Sequence, residues 1–430
     1  MPDTFRVTSY EYRHPTTFSD STNALQLRQD LAPDYFLIIQ MGGAGDELST
    51  GNKGPNQSYI RVTHDGFGSG DLGVSDASDE IILRRTSSAN TWKGTVDVIE
   101  CLGDQATTGF TLRDISVVEF ITSSTTTTKV VSTAWSDISQ VGTYGGKLGG
   151  GSETQASNAG HYPTVWGKVR PSGTDTILID RDLTGGGTSG ATFSVYVVEW
   201  GSEWQIESGN ITGSAGGAQS DAVSEYDHVT LNSIVTVAES FVLAYGMKDD
   251  NGIGDGWDGD LFALGNGISD GISGTTDRVA CGADNTDNRD VQVFVHRHAN
   301  AAVQWSYGTW DNSTNGGLNS SDLSSTFSLG DTGGGADELH ENSYSTIRFT
   351  EAGRRFAILS ASCDGVGTSF PRPIMHSRWV SDTTINYKIS RSGLGHTVWH
   401  QGVDLSKVSF SEGASLVYKS KIGSNTLLRM

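Results

Sequence analysis

Ala191-Thr192-Phe193-Ser194-Val195-Tyr196-Val197-Val198-Glu199-Trp200 decides the fold. The segment has β-branched and aromatic residues, no proline, no glycine and near-alternating apolar character, which together specify a strand. It follows a second apolar run, residues 176–181, and a glycine-rich turn over 184–190. The same layout occurs three more times. Residues 81–85 precede Thr95-Val96-Asp97-Val98-Ile99-Glu100, and Arg278-Val279-Ala280 precedes residues 290–296. A weaker copy runs from 385–390 to His396-Thr397-Val398-Trp399-His400. Steps of 99, 97 and 103 positions separate Ile99, Val198, Val295 and Val398. That period is the size of a domain. The chain therefore reads as one β-rich module written about four times.

The totals agree. Charged residues are 18% of the 430, and Gly is 55 of them. With abundant Ser, Thr and Asn, this is the composition of many short strands joined by polar turns. Helical periodicity is almost absent, leaving only short turns near 22–28 or 337–341 as helix candidates. A β-helix would repeat every 20 to 25 residues or so, which this chain does not. The expected fold is all-β: about four tandem antiparallel β-sandwich or jelly-roll-like modules. Polar stretches at 122–128, 212–220 and 311–335 suggest boundaries that give modules 1–121, 122–212, 213–312 and 313–430.

A net charge of −21 argues against nucleic acid as a partner. It equally argues against adhesion to anionic lipid. No run approaches the length of an apolar membrane span. Residues 1–7 lack the basic and apolar regions of a secretory signal, so none is expected. Three widely spaced cysteines, Cys101, Cys281 and Cys363, read as buried free thiols in strands, with no disulfide framework or zinc spacing.

Few residues suggest chemistry. The acidic loop 249–260 carries Asp250, Asn251, Asp255, Asp258 and Asp260, oxygen donors on glycine-permitted turns that suit calcium. Its spacing is not that of an EF-hand, and a plain solvated turn is the simpler reading. Calcium is the one cofactor raised. Residues 284–290 read as a turn. His396 and His400 share one face of a strand, with His296 and His298 in the equivalent strand of the third module; without a third ligand they read as surface or interface histidines. Trp257, Trp305 and Trp310 lie in or beside polar loops and are the candidates for a sugar-stacking platform. Trp166, Trp200 and Trp399 read as core or inter-sheet residues. No nucleophile elbow or phosphate loop is present, and no carboxylate pair is marked out for glycoside hydrolysis. The chain reads as a non-enzyme. Glu100 and Glu199, at matching ends of two copies, read as structural marks of the module.

Tandem β modules, Gly/Ser/Thr/Asn-rich turns, acidic charge and few cysteines are carried by strands such as 193–200, followed by Trp204-Gln205-Ile206-Glu207-Ser208-Gly209-Asn210. In these features the chain resembles virion structural proteins of tailed bacteriophages, of the tail appendage, fibre or capsid-decoration kind. The resemblance implies assembly in the host cytoplasm and a place on the virion. It implies a homo-oligomer, trimer or hexamer, contacting other virion proteins and a host-surface glycan. It carries over no functional residues. The absence of a coiled-coil or collagen-like shaft favours a compact appendage. A capsid decoration protein and a glycan-binding or glycan-degrading β-sandwich are the alternatives.

Overall fold

A computed structural model describes residues 4–14, 22–41, 61–64, 80–84, 92–120, 124–144, 167–181, 191–214, 223–248, 261–267, 274–282, 289–310, 327–329, 346–349, 355–363, 375–381, 384–389 and 396–408. These residues form 25 β-strands and three single-turn 3₁₀ segments, with no α-helix among them. The protein is all-β, as its composition requires.

Module one comprises β1 (Phe5–His14), β2 (Thr22–Gln26), β3 (Asp34–Met41), β4 (Arg61–His64), β5 (Glu80–Arg84) and β6 (Trp92–Cys101). Its two sheets have the orders β1-β6-β3 and β2-β5-β4. Module two comprises β7 (Phe110–Phe120), β8 (Thr126–Val130), β9 (Val141–Tyr144), β10 (Gly167–Ser172), β11 (Thr176–Arg181) and β12 (Ala191–Trp200). Its sheets are β7-β12-β9 and β10-β11-β8. Module three comprises β13 (Gln205–Gly213), β14 (Tyr226–Thr236), β15 (Ser240–Lys248), β16 (Leu261–Leu264), β17 (Thr275–Gly282) and β18 (Arg289–Arg297). Its sheets are β13-β18-β15 and β14-β17-β16. Module four comprises β19 (Ala302–Trp310), β20 (Phe327–Leu329), β21 (Thr346–Phe349), β22 (Arg355–Cys363), β23 (Met375–Ser381), β24 (Thr384–Ile389) and β25 (His396–Asp404). Its sheets are β19-β25-β22 and β20-β24-β23, while β21 lies apart, on the edge of β1.

One wiring diagram is thus used four times. The first, last and third strands of a module form one sheet, with the last in the middle; the remaining three form the other. Pairing is antiparallel apart from the three-residue match of β20 with β24. Each repeated strand–turn–strand unit of the sequence, such as β11 and β12, crosses from one sheet to the other instead of forming a hairpin. Residues 22–26 are strand, where a short helical turn was one expectation.

The module limits differ from those suggested by polar composition. β7, placed by composition at the end of module one, pairs with β12. β13 pairs with β18 and β19 with β25, so each of these boundaries lies one strand earlier than expected. The polar stretches at 122–128, 212–220 and 311–335 therefore fall within modules, around the passage from first to second strand, and overlap β8, β13 and β20. The true junctions are the short segments 102–109, 201–204 and 298–301.

These junctions meet. Gly201 N–H donates to the Gly109 carbonyl (2.9 Å), and Glu203 N–H to that of Thr107 (3.0 Å). Trp204 Nε1 donates to the Thr108 carbonyl at 2.8 Å. The Trp204 ring lies 5.0 Å from that of His298 in the third junction. A Cβ on Gly201 would fall on the Thr107 backbone, so this approach requires glycine.

The modules close into a ring. β4 packs beside β12 of module two, and β10 beside β15 and β18 of module three. β16 packs beside β22 and β25 of module four, and β23 returns to β3 and β6 of module one. A continuous buried core runs through all four modules, including Phe36, Tyr144, Phe241 and Phe356 from the third strand of each. The opening stretch of the sequence now has a physical reading. Phe193, Val195 and Val197 of β12 face their own sandwich, against Val169, Ile177 and Ile179. Tyr196, Val198 and Trp200 face the shared core. A strand buried on both faces reads as a nearly continuous apolar run.

Candidate functional site

Charged groups at the rim of this core, some buried and some half-buried, sit at repeated positions. Glu100, at the junction end of β6, pairs with Arg6 of β1 and accepts from Ala32 N–H at 2.7 Å, just before β3. Glu199 holds the matching place on β12. It pairs with Arg113 of β7 and accepts from Ser136 N–H (2.9 Å) and Asp137 N–H (2.8 Å), in the segment leading to β9. In module three the charges are exchanged: Arg297 ends β18 and bonds Glu239, just before β15, at 2.9 Å. In module four Asp404 ends β25 and accepts from Arg355 of β22 (2.7 Å) and Ser406 N–H (2.8 Å). Each pair ties the end of the central strand to its neighbours.

Burial alone would raise the Glu199 carboxyl, but hydrogen bonds from Ser136, Asp137 and Arg113 outweigh it and hold the group below the usual range. Asp404 is held low in the same way, with Ser406 and Arg355 outweighing its burial. These carboxylates are fixed acceptors. The structural reading of Glu100 and Glu199 agrees with this geometry.

A second set of polar contacts spans the seams between modules. Asp34 of β3 accepts from Leu112 N–H of β7 at 2.7 Å. Lys168 of β10 bonds Asp290 of β18 at 2.5 Å. Gln401 of β25 accepts from Val242 N–H (2.6 Å) and donates to the Val242 carbonyl (3.1 Å), so its amide acts as one more strand partner for β15.

The deepest seam contact is a relay of three rings. Trp200 Nε1 donates to the Tyr144 hydroxyl at 2.7 Å. That hydroxyl lies 2.5 Å from His296 Nε2. The hydroxyl thus bridges the indole and the imidazole, and the imidazole tautomer sets which of Tyr144 and His296 donates. The imidazole stacks on Phe241 at 4.6 Å, 6° from parallel. Burial pushes its pKa down to about 3, offset only in part by the backbone of Phe241 and Phe294. His296 is therefore a neutral core residue.

His298 is also buried, with burial lowering its pKa first and the nearby Glu203 offsetting this. The expectation of exposed surface histidines is corrected for both, because the shared core and the meeting junctions cover them. His396 and His400 lie in β25, their side chains outside the described residues. Cys101 and Cys281 are buried free thiols, and burial raises Cys101 to about 11.

Trp305 is corrected as a sugar platform. It is 3% exposed, and its Nε1 donates to the carbonyls of Val237 (3.2 Å) and Ser240 (3.0 Å). No ring face is left for a ligand. Trp310 ends β19, its side chain outside the described residues; Trp257 lies outside them, as do Asp250, Asn251, Asp255, Asp258 and Asp260. Those six residues connect β15 to β16. Because β15 begins at the junction side, it ends on the opposite face of the ring. By the same polarity β3, β9 and β22 also end there, and all four central strands begin there.

Among the described residues no three His, Cys, Asp or Glu side chains gather as a metal site, and no helix is long and apolar enough to cross a membrane. Comparison with protein-family models, with curated proteins and with solved structures finds no match to the chain.

Proposed function

We propose that this chain is a non-enzymatic structural protein of a tailed-phage particle, forming a homo-oligomeric tail appendage. One observation carries the structural half of the reading. The buried Glu100, Glu199 and His296 and the half-buried Asp404 are each bound to neighbouring strands or modules. Chemistry of the acid–base kind needs such groups aimed at a substrate. Here they brace strand ends and seams.

Strand polarity supports a display role. The end of every third strand and the start of every central strand lie on one face, away from the junctions. The intervening sequences, such as 42–60, 145–166 and 249–260, are rich in Gly, Ser, Asn and Asp. Variable polar connections on a rigid β framework are where binding residues concentrate. The phage half of the proposal rests on the resemblance in composition and modular style. Edge strands of the repeated sheets supply the means of self-association.

Electron cryo-microscopy of particles from the source culture, with antibody-gold labelling of this chain, tests the reading. Density at the tail is the expected result. Labelling over the capsid shell instead would favour a decoration protein. A free monomer that shortens host polysaccharide would overturn the proposal.

A further inference from the structure

The ring has four seams, and only three are crossed by a junction. Module one leads to two through 102–109, two to three through 201–204, and three to four through 298–301. Between modules four and one, β4-type packing recurs, with β23 beside β3 and β6. No junction from last strand to first strand exists there, because module one precedes module four in the chain.

β21 stands at this seam. It is the one described strand with no counterpart in the other modules. It lies between β20 and β22, a connection of 25 residues, where the matching connections have 7, 10 and 3. It leaves its own module and adds to the outer edge of β1, with Tyr10 opposite Phe349, Glu11 opposite Arg348 and Tyr12 opposite Thr346. Module one thereby gains the only four-stranded sheet among those described.

We propose that β21 is the closing strand of the ring, a hydrogen-bonded substitute for the missing junction. An edge strand presents unpaired N–H and C=O groups, and a strand from the last module satisfies them while tying it to the first. The tie is short and carries a bulge between Glu11 and Tyr12. Among the described strands it is the one backbone strand pairing that joins two modules. This seam is thus closed by strand pairing, where the other three are closed by a continuous chain. This inference stands independently of the phage reading.

A disulfide across the register tests it. Glu11→Cys with Arg348→Cys, made in the full chain, places two cysteines at opposed positions of an antiparallel pair, within bridging distance. At dilute protein and mild oxidation, the expected product is an intramolecular link, seen as a faster monomer band on a non-reducing gel. A link formed only between chains would overturn the proposal, as would the absence of any link. In Arg348→Pro, which removes a strand amide, amide exchange at residues 10–12 should speed up at least tenfold. Exchange over 201–204 should stay within twofold of the parent. Equal acceleration at both places, or at neither, would also overturn it.

Discussion

His296 is a residue whose chemistry departs far from its solution behaviour. In the fold its imidazole stays neutral, with a pKa lowered to about 3. In the unfolded chain it takes a proton near pH 6.5. Its contribution to stability is therefore complete above about pH 6.5 and is lost progressively as the pH falls towards 3. By pH 4 the loss from this one group amounts to roughly 3 kcal/mol. His298 is shifted in the same direction and adds to the slope. The lowered carboxyls of Glu199 and Asp404 contribute only at lower pH, as they protonate. Urea denaturation across pH 7.5 to 4.5 should show falling stability, and His296→Gln, which keeps a hydrogen-bonding partner for Tyr144, should make the decline shallower. An unchanged slope in that variant would contradict the neutral, buried imidazole. At Trp305 the outcome is set by burial. Trp305→Ala should cost about 3–5 kcal/mol in the same denaturation assay. Loss of sugar binding at unchanged stability would instead restore the ring to the surface.

At the scale of elements, the central strand of each module was the most legible feature of the sequence. Ala191–Trp200 and Thr176–Arg181 were bounded correctly because branched and aromatic residues end sharply at turn-forming ones. The module limits were less legible. Polar stretches such as 212–220 look like linkers, yet they join first and second strands that lie in different sheets of one module. The junction Gly201-Ser202-Glu203-Trp204 is too short to look like a boundary, and its tryptophan is buried. Trp305 was misread for a related reason. Its neighbours are polar, but Ala301, Val303 and Trp305 alternate inward, a period of two that was available in the sequence. The acidic loop 249–260 stays a sequence expectation, lying outside the described residues. The carboxylate at the end of the central strand was legible only as a coincidence of position, since its partners come from distant segments. Glu199→Ala would leave Arg113 and the Ser136 and Asp137 N–H groups without their shared acceptor. Loss of such charge-assisted bonds should cost about 2–3 kcal/mol. A shift in urea midpoint at unchanged denaturant slope is the expected form of that loss.

For the whole molecule, the arrangement of modules separates two shapes that share one sequence pattern. Four tandem sandwiches could form a string, as repeated domains joined by polar linkers often do. Here the linkers are intramodular and the junctions are short and mutually bonded, so the modules have little freedom to separate. Packing from β4 to β12, β10 to β15, β16 to β22 and β23 to β3 then brings the last module against the first. Small-angle scattering distinguishes the two shapes. A compact body of this length should have a radius of gyration of about 22 Å, whereas four domain-sized beads in a row would give roughly 35 Å. The measurement belongs on a monomer peak taken directly from a sizing column, because association would raise the value in either case. A value near the compact figure, unchanged by moderate salt, is expected, since apolar burial and uncharged strand contacts hold most of the seams. A value near that of the string would mean that the modules do not close on one another, and the shared core of Phe36, Tyr144, Phe241 and Phe356 would have to be abandoned with it.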